Sequence, residues 1–428
     1  MRIAVIGSGI SGLVSAWLLS REHEVTLFES NGYLGGHTHT HDIERQGRRF
    51  AVDSGFIVYN PSNYPLLTRL FGELRVASQP TTMSFAVRNE SSGIEYNAST
   101  LNALFCQRRN LLSPRFLGMV RDLLRFYREA PGLLADSGEG PTLGDYLDAH
   151  GYGAAFRDDH LVPMACALWS SPASRILSFP VRYLVQFMAN HRMLAVSGRP
   201  AWRVVCGGSA TYVRALRARW RVHVRLDCPV SAIHRQDRHV LVRANGGTER
   251  FDHAVLACHS DQALALLTDA SERERDILGA ITYQPNEAVL HTDAKLLPTR
   301  RTAWAAWNAF ISRDRAAPCT VSYCMNLLQG LDSSEPFVVT LNRTHAIDPA
   351  KVLRRMQYHH PVYTHAAVVA QRRRAEIQGV NRTWFAGAYW GWGFHEDGMR
   401  SAVDVATGFG IRWGLYAAGP DQEAGEAA

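Results

Sequence analysis

Lysine is nearly missing from this chain. Of its 46 lysines and arginines only Lys295 and Lys351 are lysine, so the formal net charge of +7 is carried by dispersed arginines. That dispersion, with no recognised nucleic-acid module, argues against DNA or RNA as a partner. No apolar run approaches the roughly eighteen uninterrupted residues that a membrane-crossing helix needs. The seven cysteines form no CxxC and no disulfide-like framework, which suits a reducing cytoplasm. No internal repeat occurs. A cleavable leader is not expected, because removing it would destroy the motif that begins at the second residue.

What is present is concentrated first at the start. Ile3 to Ile6 is an apolar run, followed by Gly7-Ser8-Gly9-Ile10-Ser11-Gly12, a helical pattern through Leu19, a second β-type run from Glu24 to Phe28, and Glu29. This is a complete βαβ dinucleotide unit. Gly7 permits the tight turn, Gly9 lets backbone approach a pyrophosphate, and Gly12 lets the helix pack on the strand, while Glu29 can accept from ribose hydroxyls. Further glycine sites follow at Gly35-Gly36, Asp53-Ser54-Gly55 and Gly207-Gly208. A nicotinamide needs none of these; a longer, extended flavin dinucleotide does. Near the end, Arg382 to Gly387 reads as a buried strand running into glycines 391, 393 and 398 and a helix Met399–Phe409, whose start could face the electron-rich end of a flavin ring.

Taken together, these motifs resemble the FAD-dependent amine oxidase and phytoene desaturase superfamily over nearly the whole chain. The segments GGHTHT (35–40), VDSGFIVYN (52–60), FAGAYWGWGFHEDG (385–398) and MRSA (399–402) resemble most a bacterial subgroup of predicted NAD/FAD-binding oxidoreductases associated with fatty-acyl modification. The resemblance implies an α/β fold, in which an FAD-binding Rossmann-like domain (1–75, 200–285 and 370–415) is interleaved with a mixed α+β substrate domain (76–199 and 286–369). A disordered tail, 416–428, is expected after it. At 428 residues two cores are expected in any case. The implied FAD contacts are Gly7, Gly9, Ile10, Ser11 and Gly12; Glu29, Ser30, Gly35, Gly36, His37 and Thr38; then Val230, Gly387, Gly398, Met399 and Ser401. Two departures stand out: the usual GGR is GGH, with His37, and the acid that often follows FAG is Ala388.

The runs Val222–Val224, Val230–Ile233, His239–Ala244 and Ala254–Ala257, with a turn at Asn245-Gly246-Gly247, suggest a small β layer beside the dinucleotide fold. Residues 101–195 read as helical. Within them Phe116, Met119, Val120, Leu123, Leu124, Phe126 and Tyr127 share a segment with Arg115, Arg121, Arg125 and Arg128. This is either an ordinary core helix with a solvated arginine face or a basic amphipathic helix able to lie on an anionic membrane.

For catalysis, oxidation of a C–H bond by a flavin needs the substrate carbon at N5 and a base within hydrogen-bond reach of any adjacent proton. His395 falls where amine oxidases place one wall of an aromatic cage, and Trp390, Trp392 and Phe394 would line the same cavity. Glu396 and Asp397 read equally as helix caps or as catalysts. His191 is a second base candidate. Many amine oxidases carry a lysine in the strand that corresponds to Asn286–Thr292; here there is none, and His291 is the nearest basic residue. His37, His39 and His41 alternate as metal ligands on one strand face would, but they continue the glycine pair, so no metal is assigned. His359 and His360 cannot both point inward from a strand.

No second strand–GxGxxG–helix unit occurs, so electrons enter from the substrate rather than from NAD(P)H. The expectation is an FAD-dependent oxidoreductase moving hydride from a hydrophobic substrate to flavin N5, foremost by desaturating a lipid acyl chain. An amine oxidase, a redox-neutral flavin isomerase and a non-catalytic flavin scaffold remain alternatives. The expected location is cytoplasmic, with peripheral contact at the inner membrane left open.

Overall fold

The computed structural model describes residues 1–135, 138, 140–314 and 320–413, so the expected disordered tail lies outside the described residues. The opening unit forms as β1 (Arg2–Ile6), α1 (Ile10–Leu19) and β2 (Glu24–Phe28). A five-stranded parallel sheet runs in the order Val222–Arg225, β2, β1, His253–Leu256, Thr383–Phe385. Its central strands are buried on both faces, which is why they read as continuous apolar runs rather than alternating ones.

The expected small β layer is therefore corrected. Two of its four runs, Val222–Arg225 and His253–Leu256, are strands of the main sheet, and only Val230–Gln236 and His239–Ala244 belong to a separate three-stranded antiparallel layer with Gly247–Phe251. Asn245 and Gly246 both take positive φ at its hairpin, the conformation that a tight two-residue turn demands.

Every residue of α1 is buried. A helix apolar all round needs cover on both sides. The sheet covers one, and the last helix covers the other, where Leu13, Val14 and Leu18 share a core with Met399, Ala402 and Val405. That helix spans His395–Gly408 and begins ahead of the expected Met399. Asp397 accepts a hydrogen bond from the Phe394 backbone N–H at 3.1 Å, so the two acids sit inside the first turn, where they offset the helix dipole.

A second, seven-stranded sheet runs Val352–Val362, Thr282–His291, Val338–Leu341, Thr320–Cys324, Trp307–Ile311, Phe85–Asn89, Ile94–Asn97. Its second strand starts ahead of the boundary expected at 285. Helices between residues 101 and 190 pack on this sheet, and Phe116, Phe126, Phe156, Leu184 and Phe187 share a core with Val87, Ala309 and Tyr363. The segment with four arginines is a helix, Pro114–Glu129, opened by Ser113 accepting from the Phe116 N–H. It buries Phe116, Met119 and Phe126, as a core helix does. No described helix is long and apolar enough to cross a membrane.

Candidate functional site

At the dinucleotide end the three glycines of the fingerprint do three different things. Gly7 takes φ +97°, and a Cβ on Gly12 would stand 1.9 Å from the Gly7 carbonyl oxygen, so both glycines are demanded by the chain itself. Around Gly9 a Cβ would meet no protein atom within 4 Å. Gly9 is also the N-cap of α1 and supplies no side-chain cap. The first N–H groups of the helix therefore open onto free space, the arrangement that accepts a phosphate. Glu29 is buried, and its carboxylate accepts from Ser8 N at 2.9 Å, Ser8 Oγ at 2.6 Å, Asn31 N at 2.9 Å and Asn31 Nδ2 at 2.8 Å. Ser30 Oγ reaches the same carboxylate at 3.2 Å. The backbone of Cys228 donates to the Glu29 carbonyl at 2.9 Å, two residues ahead of the strand that Val230 begins.

Gly35 and Gly36 lead from here to the reactive end. Gly35 N donates to the Ser8 carbonyl at 3.1 Å, and a Cβ on Gly36 would lie 3.1 Å from Gly9 Cα. The chain then delivers His37 and Thr38. The His37 ring stacks on Tyr358 at 4.8 Å and lies 5.3 Å from His360. Its Nε2 is buried without a hydrogen-bond partner, an orphan that a bound group with a polar edge would satisfy. Thr38 Oγ1 is hydrogen-bonded to the Tyr212 hydroxyl at 2.5 Å and to His395 Nε2 at 3.0 Å. The His395 ring lies flat on Phe56 at 3.6 Å. An open helix N-terminus, a buried acid at the end of β2 and an orphaned nitrogen on the same connection fit an extended flavin dinucleotide.

The reactive end is almost free of charge. Burial pushes His395 down to about 3, with His37 adding repulsion, and it pushes His37 and His259 to about 4 and His360 to about 3, again with neighbouring histidines contributing. At neutral pH these rings are uncharged imidazoles.

Several of the residues expected to touch FAD also have roles within the fold. Gly387 N–H is donated to Ser401 Oγ at 2.9 Å, and the same hydroxyl donates to the Gly398 carbonyl at 2.8 Å, so Ser401 is consumed within the fold. Met399 is buried in the core under α1. Gly398 lies inside the last helix rather than at its start, where a Cβ would come 2.6 Å from Ile10 Cγ2; it is a packing glycine. The same holds for Gly55, whose Cβ would press on the His37 carbonyl, and for Gly208, whose Cβ would strike Thr40. Asp53, fully buried, ties these segments together by accepting from Ser209 N at 2.9 Å, Ser209 Oγ at 2.8 Å and Thr40 Oγ1 at 2.5 Å.

The catalytic candidates separate too. Glu396 accepts from the N–H groups of Leu66 and Leu67 at 2.8 and 3.1 Å, capping the helix Pro65–Leu74. With Asp397 capping its own helix, both acids are explained as caps. His191 closes the helix Val181–Asn190, donating Nδ1–H to the Phe187 carbonyl at 3.0 Å with its ring stacked on Phe187 at 4.1 Å. Trp392 and Phe394 join Trp169, Tyr183 and Phe187 in one aromatic group. Trp390 does not: it sits in a short 3-10 turn, packs on the opposite side and donates Nε1–H to the Phe385 carbonyl at 3.1 Å. His291 is fully engaged, with Nε2 bonded to Thr340 Oγ1 at 2.7 Å and Nδ1 accepting from Asp293 N at 3.0 Å. His37 and His39 precede the strand Thr40–Arg45; the rings of His39 and His41 lie 4.1 Å apart, while His37 turns to Tyr358. Among the described residues no group of three or more His, Cys, Asp or Glu is arranged to hold a metal.

Reading the sequence alone passed over Tyr358, Tyr212, Phe56 and His259 as site residues. Only Phe56 stood within a recognised motif; Tyr358 reaches the site by strand pairing, Tyr212 from the helix Ala210–Arg217 and His259 from the start of the helix Ser260–Leu266.

The family model described as flavin containing amine oxidoreductase matches residues 10–408. Tryptophan 2-monooxygenase of Allorhizobium ampelinum is 57% identical over 42 residues, a match spanning 9% of this chain and 6% of that protein. Among solved structures, cyclohexylamine oxidase from Brevibacterium oxydans superposes with a TM-score of 0.69 at 16% identity, covering 95% of this chain and 98% of that one. The CLA-producing fatty acid isomerase from P. acnes gives 0.66 at 16% identity over 95% and 98%, and putrescine oxidase bound to putrescine gives 0.69 at 13% over 96% and 100%. At such identities the likeness establishes the fold.

Proposed function

Since the chain belongs to the family of flavin-containing amine oxidoreductases, and is accordingly an FAD-dependent oxidoreductase, we propose that its substrate is a hydrophobic molecule oxidised at a carbon–carbon bond, foremost a lipid acyl chain. One observation carries this reading. The residues that meet at the reactive end, His37, Phe56, Tyr358, His360 and His395, include no lysine, arginine or carboxylate, and the adjoining wall is the aromatic group Trp169, Tyr183, Phe187, Trp392 and Phe394. Such walls desolvate an apolar chain readily and offer nothing to an ammonium group beyond aromatic faces. The strand Thr282–His291, where many amine oxidases set a lysine, supplies only His291, whose two nitrogens are already bonded.

When bound, FAD supplies the two-electron acceptor for the substrate C–H bond. The open end of α1 would hold the pyrophosphate, Glu29 the ribose, and His37 with Thr38 the approach to the ring. His395, neutral and held by Thr38, orients the substrate against that ring.

The test is anaerobic mixing of holoenzyme with acyl phospholipids or with primary amines while flavin absorbance is followed, together with lipid profiles of cells with and without the gene. Bleaching by lipid and a changed acyl profile support the reading. Bleaching by amines alone overturns it, and an altered profile without bleaching would point to redox-neutral isomerisation.

A further inference from the structure

Exposed leucines are not scattered evenly over this protein. Among the described residues ten large hydrophobic side chains stand in solvent, and five of them lie between residues 101 and 124: Leu101 at 77% exposure, Leu111 at 49%, Leu112 at 87%, Leu117 at 45% and Leu124 at 50%. On the helix Pro114–Glu129, Leu117, Arg121, Leu124 and Arg128 follow one another at helical spacing and form a single outward stripe. The opposite stripe, Phe116, Met119 and Phe126, already satisfies the core. A core helix needs no second apolar face.

The charges around this stripe are mostly positive. Residues 101–130 carry six arginines and two acids, and one of those acids, Asp122, is buried. Arg125 is held by Glu129 at 2.9 Å and Arg115 by buried Asp159 at 2.6 Å, whereas the side chains of Arg121 and Arg128 remain 77% and 76% exposed beside their acids. Two of the six, Arg108 and Arg109, stand on the preceding turn, Arg108–Leu112. Arg109 donates to the Gly93 carbonyl at 2.8 Å, and Gly93 lines a hollow shared with Arg88, Arg300 and Arg313 and with Glu90 and Glu95.

We propose that this face, the turn Arg108–Leu112 and the outward stripe of the helix Pro114–Glu129, docks the enzyme on an anionic phospholipid bilayer, with leucines entering the interface and arginines meeting headgroup phosphates. Apolar side chains at the surface lose contact with water on insertion, and arginines beside them are attracted to the negative leaflet. The inference stands apart from the substrate reading, because its readout is partition to membrane rather than turnover.

The experiment is sedimentation of the FAD-loaded enzyme with vesicles of phosphatidylglycerol and phosphatidylcholine, and with phosphatidylcholine alone. Wild type should sediment with the anionic vesicles and be released by high salt. Each basic residue near such a surface contributes roughly fivefold in partition, so Arg121→Glu with Arg128→Glu should weaken binding by about 25-fold or more. Leu112→Ser with Leu124→Ser should weaken it independently of salt. Val369→Asp with Val380→Asp, at exposed positions elsewhere in the chain, should bind as wild type. Flavin content and thermal melting certify that each variant is folded. Wild type that ignores anionic vesicles, including one whose face is occluded in a dimer seen by light scattering, overturns the proposal, as does undiminished binding of both face variants.

Discussion

Gly9→Val and Gly12→Val exchange the same atoms three residues apart, yet the structure separates their consequences completely. At Gly9 a Cβ meets nothing in the protein within 4 Å, and the backbone φ is −61°, so valine fits the fold; its poor N-cap propensity costs about 1 kcal/mol. The same methyl groups, however, fill the space in front of the α1 amide N–H groups. Losing two charge-assisted hydrogen bonds to a pyrophosphate, at about 1.5–3 kcal/mol each, removes about 3–6 kcal/mol and weakens FAD roughly 10²–10⁴-fold. At Gly12 a Cβ would lie 1.9 Å from the Gly7 carbonyl oxygen, so valine must push α1 off its turn, costing about 3 kcal/mol or more before any ligand is considered. Flavin bound per protein after gel filtration and the melting temperature of the apoprotein make the comparison. Gly9→Val should melt near wild-type apoprotein and carry no flavin; Gly12→Val should melt well below it. Stoichiometric flavin in Gly9→Val, or a melting temperature as low as that of Gly12→Val, would refute the reasoning.

Three further outcomes are expected. His395→Phe keeps the stack on Phe56 but loses the bond to Thr38, so FAD should stay bound while anaerobic flavin reduction by the true substrate slows by about 10²-fold; unchanged rates there and in His395→Ala would exclude this residue from the mechanism. Arg235 is buried with its guanidinium between Glu274 and Asp269, the latter at 3.1 Å, and Arg235→Ala should cost about 3–5 kcal/mol by stranding buried Glu274, which denaturant melts would show; a loss under about 1 kcal/mol would contradict it. Stability should fall as pH drops from about 6.5 towards 4, because His37, His41, His259 and His291 are held near 4 when folded and take up protons near 6.5 when unfolded. Fully buried His291 alone accounts for about 3 kcal/mol of that fall. Asp53, raised to about 6, and Glu396, raised to about 7, bind protons more tightly in the fold and oppose the trend; a rise in melting temperature on acidification would mean that these acids dominate.

What the sequence could and could not disclose follows from the range of the interactions involved. The βαβ unit was legible because β1, α1 and β2 are specified locally, by apolar runs separated by a turn that glycine alone tolerates. The last helix was misplaced by its own N-terminus: Glu396, Asp397 and Gly398 look like a pre-helical cap, but Asp397 caps from inside the first turn through the Phe394 N–H, and Glu396 caps a different helix at Leu66 and Leu67, some 330 residues away in sequence. Gly55, Gly208 and Gly398 show the same limit, since a glycine required by a ligand and one required by a crossing chain are identical in sequence, and only the Cβ environment shows that neighbouring protein atoms already demand these three.

Tyr358 and His360 mark the boundary most sharply. Alternation in a strand rightly required that His359 and His360 face opposite ways, and in the strand Val352–Val362 His359 stands in solvent while His360 bonds Asn286 at 2.9 Å. Which of the two turns inward depends on the register against Thr282–His291, where Asn286 pairs with Tyr358. One residue of slip would exchange the faces, removing the Tyr358 ring from His37 and bringing His359 in its place. The composition of the reactive end is thus decided by a strand pairing between distant segments, and a local motif, however complete, carries no information about that pairing.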